Sequence, residues 1–197
     1  MIIVIDICDT LFLQNTTFGF IDFIKNENKS FYKKIKIPLI IIGKLFKVDF
    51  YRNRYLNNLK GYSKEQLYTL ANQYYDNVLS CKKNHPIHQI IEQNKNNKII
   101  LCSASLDIIV EVIANRLGVN TYYSSELLFD GDLCTGKLKT DLLGKKHLLF
   151  NYPIDWVITD NLSDIDLVKK ASKYTIVSKK KDLAFWYHHG IDVSIIL

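Results

Sequence analysis

The sequence has few of the features that mark zinc-binding, secreted or membrane-spanning proteins. Its four cysteines form no Cys-x-x-Cys pair and have no histidines at the spacing of a zinc site, which predicts reduced thiols as in a cytoplasm. The longest apolar run, residues 37–43, is far too short to cross a bilayer, and no basic and apolar leader precedes the first apolar segment. We therefore expect a cytoplasmic protein that has no membrane partner.

The sequence also lacks a concentrated basic surface, although its net charge is +6 and its pI is near 9.0. The lysines are scattered, and the densest run, residues 179–181, follows a strand-like segment at residues 174–177. This pattern predicts a solvated loop, so we expect no nucleic-acid partner. A modest positive charge also suits the attraction of a small phosphorylated substrate.

What the sequence does contain is a set of short apolar segments that each end in polar residues. Residues 2–5 precede Asp6, residues 99–102 precede Ser103, and residues 154–159 precede Asp160. Apolar, mostly β-branched runs of this length are typical of buried strands in a parallel sheet. Ligands bind at the carboxyl ends of such strands. With 197 residues, the chain is long enough for one core domain with a small insertion.

The segment between the first two predicted strands, residues 12–98, has helical periodicity. Apolar residues recur at three- and four-residue spacing, and Ser63 with Gln66 forms the signature of a capping box at a helix start. The many aromatic residues of this segment favour a helix-bundle core over a ligand-stacking surface. Further along, residues 121–138 predict a hairpin and residues 165–171 a helix.

Three groups of polar residues are candidates for the functional site. Asp6-Ile7-Cys8-Asp9-Thr10 follows the first strand, although Asp and Thr there are also common in ordinary turns and helix caps. Ser103 could bind a phosphoryl oxygen or simply cap the next helix. Asp160 and Asp164, four residues apart at a strand-to-helix turn, suit a hard cation such as Mg²⁺.

Taken together and in this order, these features resemble the haloacid dehalogenase superfamily. Its first motif is usually Asp-x-Asp-x-Thr, its second is a Ser or Thr after a strand, its third is a lysine, and its fourth is Asp-x-x-x-Asp. Lys145 and Lys146 both fit the third motif, and Lys146 is favoured narrowly because it lies beside an apolar repeat.

The resemblance implies an α/β fold with a Rossmann-like parallel sheet and a helical cap inserted after the first strand. The core domain would comprise residues 1–11 and 99–197, and the cap domain residues 12–98. An insertion of this size at this place is similar to that of the phosphoserine phosphatase-like subfamily.

The resemblance also implies a chemistry: a Mg²⁺-dependent phosphatase in which Asp6 forms an aspartyl-phosphate. Thr10, Ser103 and Lys146 would hold the transferring oxygens. Three groups would bind the metal: Asp6, the main-chain carbonyl of Cys8 and Asp160. Asp164 would orient these ligands.

One position departs from the family pattern, because Cys8 stands where the second Asp of the first motif is expected. That Asp serves as general acid and base, and a thiol near carboxylates is a poor substitute. Asp9 could take its place. The alternative is a phosphate-binding or regulatory protein that has lost turnover.

Two further residues bear on the substrate. Asn15 stands where phosphoserine phosphatase has a Glu that pairs with the substrate's ammonium group, which predicts poor activity on L-phosphoserine. Arg52, near the position of the cap arginine, could bind an anionic group of the substrate or be an exposed residue near a helix start.

Overall fold

A single seven-stranded sheet forms the centre of the computed structural model, which describes residues 1–25 and 50–197. The sheet order is β4-β3-β2-β1-β5-β6-β7, and all neighbours are parallel except β3 and β4, which pair as an antiparallel hairpin. The strands are β1 (Ile2–Ile5), β2 (Lys98–Leu106), β3 (Thr121–Asp130), β4 (Leu133–Thr140), β5 (Ile154–Thr159), β6 (Ala171–Ser178) and β7 (Ile195–Ile196). This topology confirms the predicted α/β fold with a mostly parallel sheet.

Helices lie along the chain between these strands. They are α1 (Thr16–Lys25), α2 (Phe50–Leu56), α3 (Lys64–Asn77), α4 (His85–Gln93), α5 (Asp107–Leu117), α6 (Ile165–Lys169) and α7 (Leu183–His188). Ser63 caps α3 through the predicted reciprocal bonds with Gln66. No helix within the described ranges is long and apolar enough to cross a membrane.

Alternate residues of the central strand β1 face two separate apolar clusters. Ile3 and Ile5 belong to the larger cluster, which also contains Phe20 of α1 and Tyr74 of α3, whereas Val4 faces a smaller cluster on the other side of the sheet. The described helices between β1 and β2 therefore pack into the same core as the sheet. The division into a core of residues 1–11 and 99–197 and a cap of residues 12–98 stays a prediction, and residues 26–49 of that cap lie outside the described residues.

One predicted element boundary is wrong. The helix predicted over residues 165–171 ends at Lys169, and Ala171 already pairs with Ile154 of β5. Main-chain hydrogen bonding to β5 draws the polar residues Ser172 and Lys173 into β6, because the neighbouring strand supplies partners that helical propensity alone does not reveal.

Candidate active site

The predicted site residues meet at the carboxyl ends of the three central strands. Asp6 follows β1, which lies between β2, the strand of Ser103, and β5, which precedes Asp160. The amide of Asp6 donates to the Ile158 carbonyl at 2.9 Å, which continues the β1–β5 ladder up to the candidate nucleophile. Its position is therefore set by the sheet and not by a free loop.

Lys146 is a buried cation that lies between two carboxylates of the site. Its Nζ is 2.7 Å from Asp6 Oδ2 and 2.8 Å from Asp164 Oδ2. Burial alone would lower the pKa of Lys146, but the charges of Asp6 and Asp164 outweigh it and raise the pKa above its ordinary value. The sequence left Lys145 and Lys146 open; Lys145 is exposed, and Lys146 is the residue beside Asp6.

Removal of this cation is expected to destabilise the fold strongly. Lys146→Met would leave Asp6 and Asp164 buried without a counter-charge, which typically costs about 3–5 kcal/mol of the free energy of unfolding. Urea unfolding followed by circular dichroism measures the loss. The matched control is Lys145→Met, an exposed neighbour whose loss should change the free energy by less than about 0.5 kcal/mol. Equal unfolding midpoints for the two variants would contradict the assignment of a structural charge to Lys146.

Asp160 and Asp164 have different surroundings although both belong to the predicted fourth motif. Asp160 Oδ1 accepts a hydrogen bond from Thr10 Oγ1 at 2.9 Å. Burial and the nearby charge of Asp6 raise the pKa of Asp160 to about 7. Asp164 Oδ2 accepts from Lys146 and from Thr159 Oγ1, while its buried Oδ1 has no hydrogen-bond partner among the residues that the structure describes.

This donor set fits a hard divalent cation. Two carboxylates, Asp6 and Asp160, are close enough for one to hinder ionisation of the other, a repulsion that a cation between them would relieve. Mg²⁺ needs one or two protein carboxylates, because it keeps several waters and binds substrate phosphate. Among the described residues, no group of three or more His, Cys, Asp or Glu side chains is arranged as a metal cluster, so the fit rests on these two carboxylates.

Cys8 contacts two hydroxyl groups that the sequence did not single out. Its Sγ lies 2.9 Å from Ser105 Oγ and 3.1 Å from Thr16 Oγ1, and the Thr16 amide donates to it at 3.3 Å. Burial, and then the charge of Asp6, raise the pKa of Cys8, so the thiol is neutral at pH 7. The two-residue period of a strand could have indicated Ser105, because it shares a face of β2 with Ser103.

A cavity of about 190 Å³ opens above these groups, and five of the predicted residues line it: Asp6, Cys8, Asn15, Arg52 and Ser103. The other predicted residues, Thr10, Lys146, Asp160 and Asp164, do not line it. Asn15 Oδ1 accepts a hydrogen bond from the Phe18 amide at 3.1 Å and so caps the first turn of α1. A larger cavity, about 490 Å³, lies beside the starts of β2 and β3 and contains none of the predicted residues.

Arg52 is buried and ion-paired, not an exposed residue at a helix start. Its Nη1 donates to both carboxylate oxygens of Asp141 at 2.7 and 2.8 Å, and its Nη2 donates to the Ala104 carbonyl at 2.7 Å. Sequence reasoning missed Asp141, which lies 89 residues away in the chain, and no local pattern links it to Arg52.

Asp9, the candidate substitute for the missing acid, is directed to another part of the surface. It has a positive φ of 52°, and its carboxylate is 2.8 Å from Lys179 Nζ. It does not line the cavity that contains Cys8. Lys179, predicted to lie in a solvated loop, is thus ion-paired to the loop that follows β1.

Comparisons with known proteins give the family and the fold of this chain. The family model of the haloacid dehalogenase-like hydrolases matches residues 3–169. No curated protein matches the sequence. A Bordetella pertussis Tohama I protein of unknown function has a TM-score of 0.77 at 12% identity, covering 98% of this chain and 96% of its own.

Two further solved structures are a phosphatase and a nucleotidase by name. A phosphoserine phosphatase with a phospho-aspartyl intermediate analogue has a TM-score of 0.62 at 17% identity, covering 98% of this chain and 92% of its own. Cytosolic 5'-nucleotidase IIIB bound to cytidine has a TM-score of 0.62 at 16% identity, covering 99% of this chain and 79% of its own. At these identities the likeness establishes the fold alone.

Proposed function

The chain belongs to the haloacid dehalogenase-like hydrolase family, and we propose that it is a Mg²⁺-dependent phosphatase that acts on a small phosphorylated metabolite through an aspartyl-phosphate on Asp6. The observation that carries the proposal is the placement of Asp6 at the end of the central strand, paired with buried Lys146 and close to Asp160. A carboxylate held there by a cation is the arrangement that nucleophilic phosphoryl transfer needs.

In the proposed reaction, an Asp6 oxygen attacks phosphorus and the alcohol oxygen of the substrate leaves with the bonding electron pair. The departing oxygen takes a proton from solvent. Water then attacks phosphorus and breaks its bond to the Asp6 oxygen, which releases hydrogen phosphate, returns a proton to solvent and restores the carboxylate. Lys146 and Ser103 would hold the transferring oxygens, and Lys146 would also hold the Asp6 carboxylate in position through their ion pair. Thr10, first expected to hold these oxygens as well, donates to Asp160 and would orient that carboxylate.

The proposed Mg²⁺ ligands are Asp6, the main-chain carbonyl of Cys8 and Asp160. Asp164 would act through Lys146 and Thr159, to which its Oδ2 is already bonded. A bound Mg²⁺ would supply positive charge to the phosphoryl oxygens. The four cysteines are free thiols, which supports the proposed cytoplasmic location, and the predicted absence of nucleic-acid and membrane partners stays a prediction.

Loss of one proposed ligand is expected to weaken Mg²⁺ binding. Asp160→Asn removes a charge from the site and should lower the affinity at least about tenfold, as when a charge-assisted contact is lost.

The Mg²⁺ affinity of the unaltered protein should also rise as pH rises through about 7, because the raised pKa of Asp160 means that a proton competes with the metal below that pH. Isothermal titration calorimetry at pH 6 and pH 8 measures both effects. Equal affinities in the two proteins would show that the proposed ligand set is wrong.

The direct test of the proposed function is Mg²⁺-dependent release of phosphate from p-nitrophenyl phosphate. The nitrophenolate of this substrate leaves without help from an acid, so the neutral thiol of Cys8 should not prevent turnover. Chelation of Mg²⁺ should stop the release. If the protein binds Mg²⁺ and phosphate but releases none, the alternative of a phosphate-binding protein without turnover is favoured.

A further inference from the structure

The described residues that line the cavity above Asp6 include few charged side chains. Apart from Asp6 and Arg52, the described residues that line it are uncharged, among them Asn15, Thr17 and Leu143. Within the described part of the chain, Arg52 is therefore the lining residue whose charge could favour a second anionic group on the substrate.

That charge is compensated within the protein. Asp141 accepts hydrogen bonds from three donors: Arg52 Nη1, the Ser125 hydroxyl at 3.3 Å and the Leu143 amide at 3.0 Å. Burial alone would raise the pKa of Asp141, but the bonds from Leu143 and Arg52 outweigh it and lower the pKa, so the carboxylate is charged at pH 7. The guanidinium and this carboxylate form a pair whose net charge is near zero.

We propose, on the basis of the phosphatase function above, that Asp141 is a specificity-determining residue: by neutralising Arg52, it selects phosphate esters of small uncharged alcohols or polyols. Asp141 does not line the cavity, but its carboxylate lies 2.7 Å from Arg52 Nη1 and offsets the guanidinium charge. A carboxylate on the substrate would therefore lose its water without gaining an unshared cation. The cavity of about 190 Å³ is also below the 300–1,000 Å³ typical of small-molecule sites, which restricts the alcohol to a small one.

Two ligands with one carbon skeleton test this proposal. Glycerol 3-phosphate carries a hydroxymethyl group where 3-phosphoglycerate carries a carboxylate. Their dissociation constants are measured by calorimetry at one Mg²⁺ concentration on the full chain with Asp6→Asn, which prevents hydrolysis. With Asp141 present, glycerol 3-phosphate should bind about tenfold more tightly, the size of one charge-assisted hydrogen bond.

The substitution Asp141→Asn, added to Asp6→Asn, should change this preference. It leaves the guanidinium without that carboxylate, so 3-phosphoglycerate should gain about tenfold in affinity while glycerol 3-phosphate changes by less than about twofold. A further change, Arg52→Gln, should abolish the gain. The matched control is Asp76→Asn, which removes the carboxylate paired with Arg116 on the surface and should leave both affinities unchanged.

Three results would overturn the proposal: preferential binding of 3-phosphoglycerate with Asp141 present, an unchanged ratio in folded Asp141→Asn, or no binding of either ligand. The comparison of the two ligands with Asp141 present does not use the Asp141→Asn variant. It therefore tests the proposal even if that variant does not fold. The proposed function is tested separately, by Mg²⁺-dependent hydrolysis of p-nitrophenyl phosphate in the unaltered protein, because this substrate needs no acid at Cys8. If hydrolysis is absent but the binding preference holds, the phosphatase function alone is wrong.

Discussion

Replacement of Asp6 by Asn is expected to lower the turnover of p-nitrophenyl phosphate by at least about 10⁴-fold, the scale of loss when a covalent nucleophile is removed. An amide has almost the same volume as a carboxylate but does not attack phosphorus. Asp6 accepts hydrogen bonds through both oxygens, from the Ile7 amide at 2.7 Å and from Lys146 at 2.7 Å. Because Asn retains only one acceptor, a small loss of stability accompanies the much larger loss of turnover.

Steady-state phosphate release measures this effect, and circular dichroism with urea unfolding checks that the variant is folded. The matched control is Asp155→Asn, an aspartate near the start of β5 whose carboxylate accepts from the Ile2 amide at 2.6 Å. It makes the same chemical change in the same sheet, near the amino end of β5 and so at the opposite end of the strand from Asp160, and turnover should stay within about twofold.

A second readout tests the covalent step itself. Beryllium fluoride, which mimics a phosphoryl group on a carboxylate, should bind the unaltered protein with Mg²⁺ and should not bind Asp6→Asn. Fluorine NMR distinguishes bound from free fluoride species. If folded Asp6→Asn retains turnover, Asp6 is not the nucleophile, and the aspartyl-phosphate route is excluded.

The sequence predicted the main parts of this site because they lie in or just after the carboxyl-terminal parts of strands of a parallel sheet. Asp6, Ser103 and Asp160 each come at the end of an apolar segment, and adjacent parallel strands bring such positions together without any knowledge of tertiary contacts. The choice between Lys145 and Lys146 was different. The two residues lie at the start of a short 3-10 turn, where neither strand nor helix periodicity identifies the buried side chain.

The sequence could not predict contacts that depend on the packing of distant segments. Arg52 reaches Asp141 across 89 residues, and Cys8 reaches Ser105 across 97. Residues 171–173 joined β6, not the preceding helix, because β5 offers them main-chain partners. These are tertiary effects, whereas local patterns report only the propensity of a segment and the side of it that is apolar.

The thiol of Cys8 is the feature that most limits the proposed reaction, and its surroundings are suited to a carboxylate. The Thr16 amide, the Thr16 hydroxyl and the Ser105 hydroxyl all lie within 3.3 Å of Sγ and could donate to carboxylate oxygens at that position. Cys8→Asp would therefore introduce an acid and base among existing donors. We expect the variant to fold, since the new oxygens gain hydrogen bonds that a thiol accepts only weakly.

Cys8→Asp is expected to raise kcat/KM for an alkyl phosphate such as glycerol 3-phosphate by about 10²-fold or more, within the range for general acid and base catalysis. An alkoxide leaves only when it is protonated, whereas nitrophenolate leaves unaided, so p-nitrophenyl phosphate should gain far less. The ratio of the two kcat/KM values is the measurement, and Cys8→Asn, which has the shape of Asp without its proton, is the control. Equal gains on both substrates, or the same gain in Cys8→Asn, would contradict this explanation. The low activity of the unaltered protein would then have a cause other than missing proton transfer to the leaving oxygen.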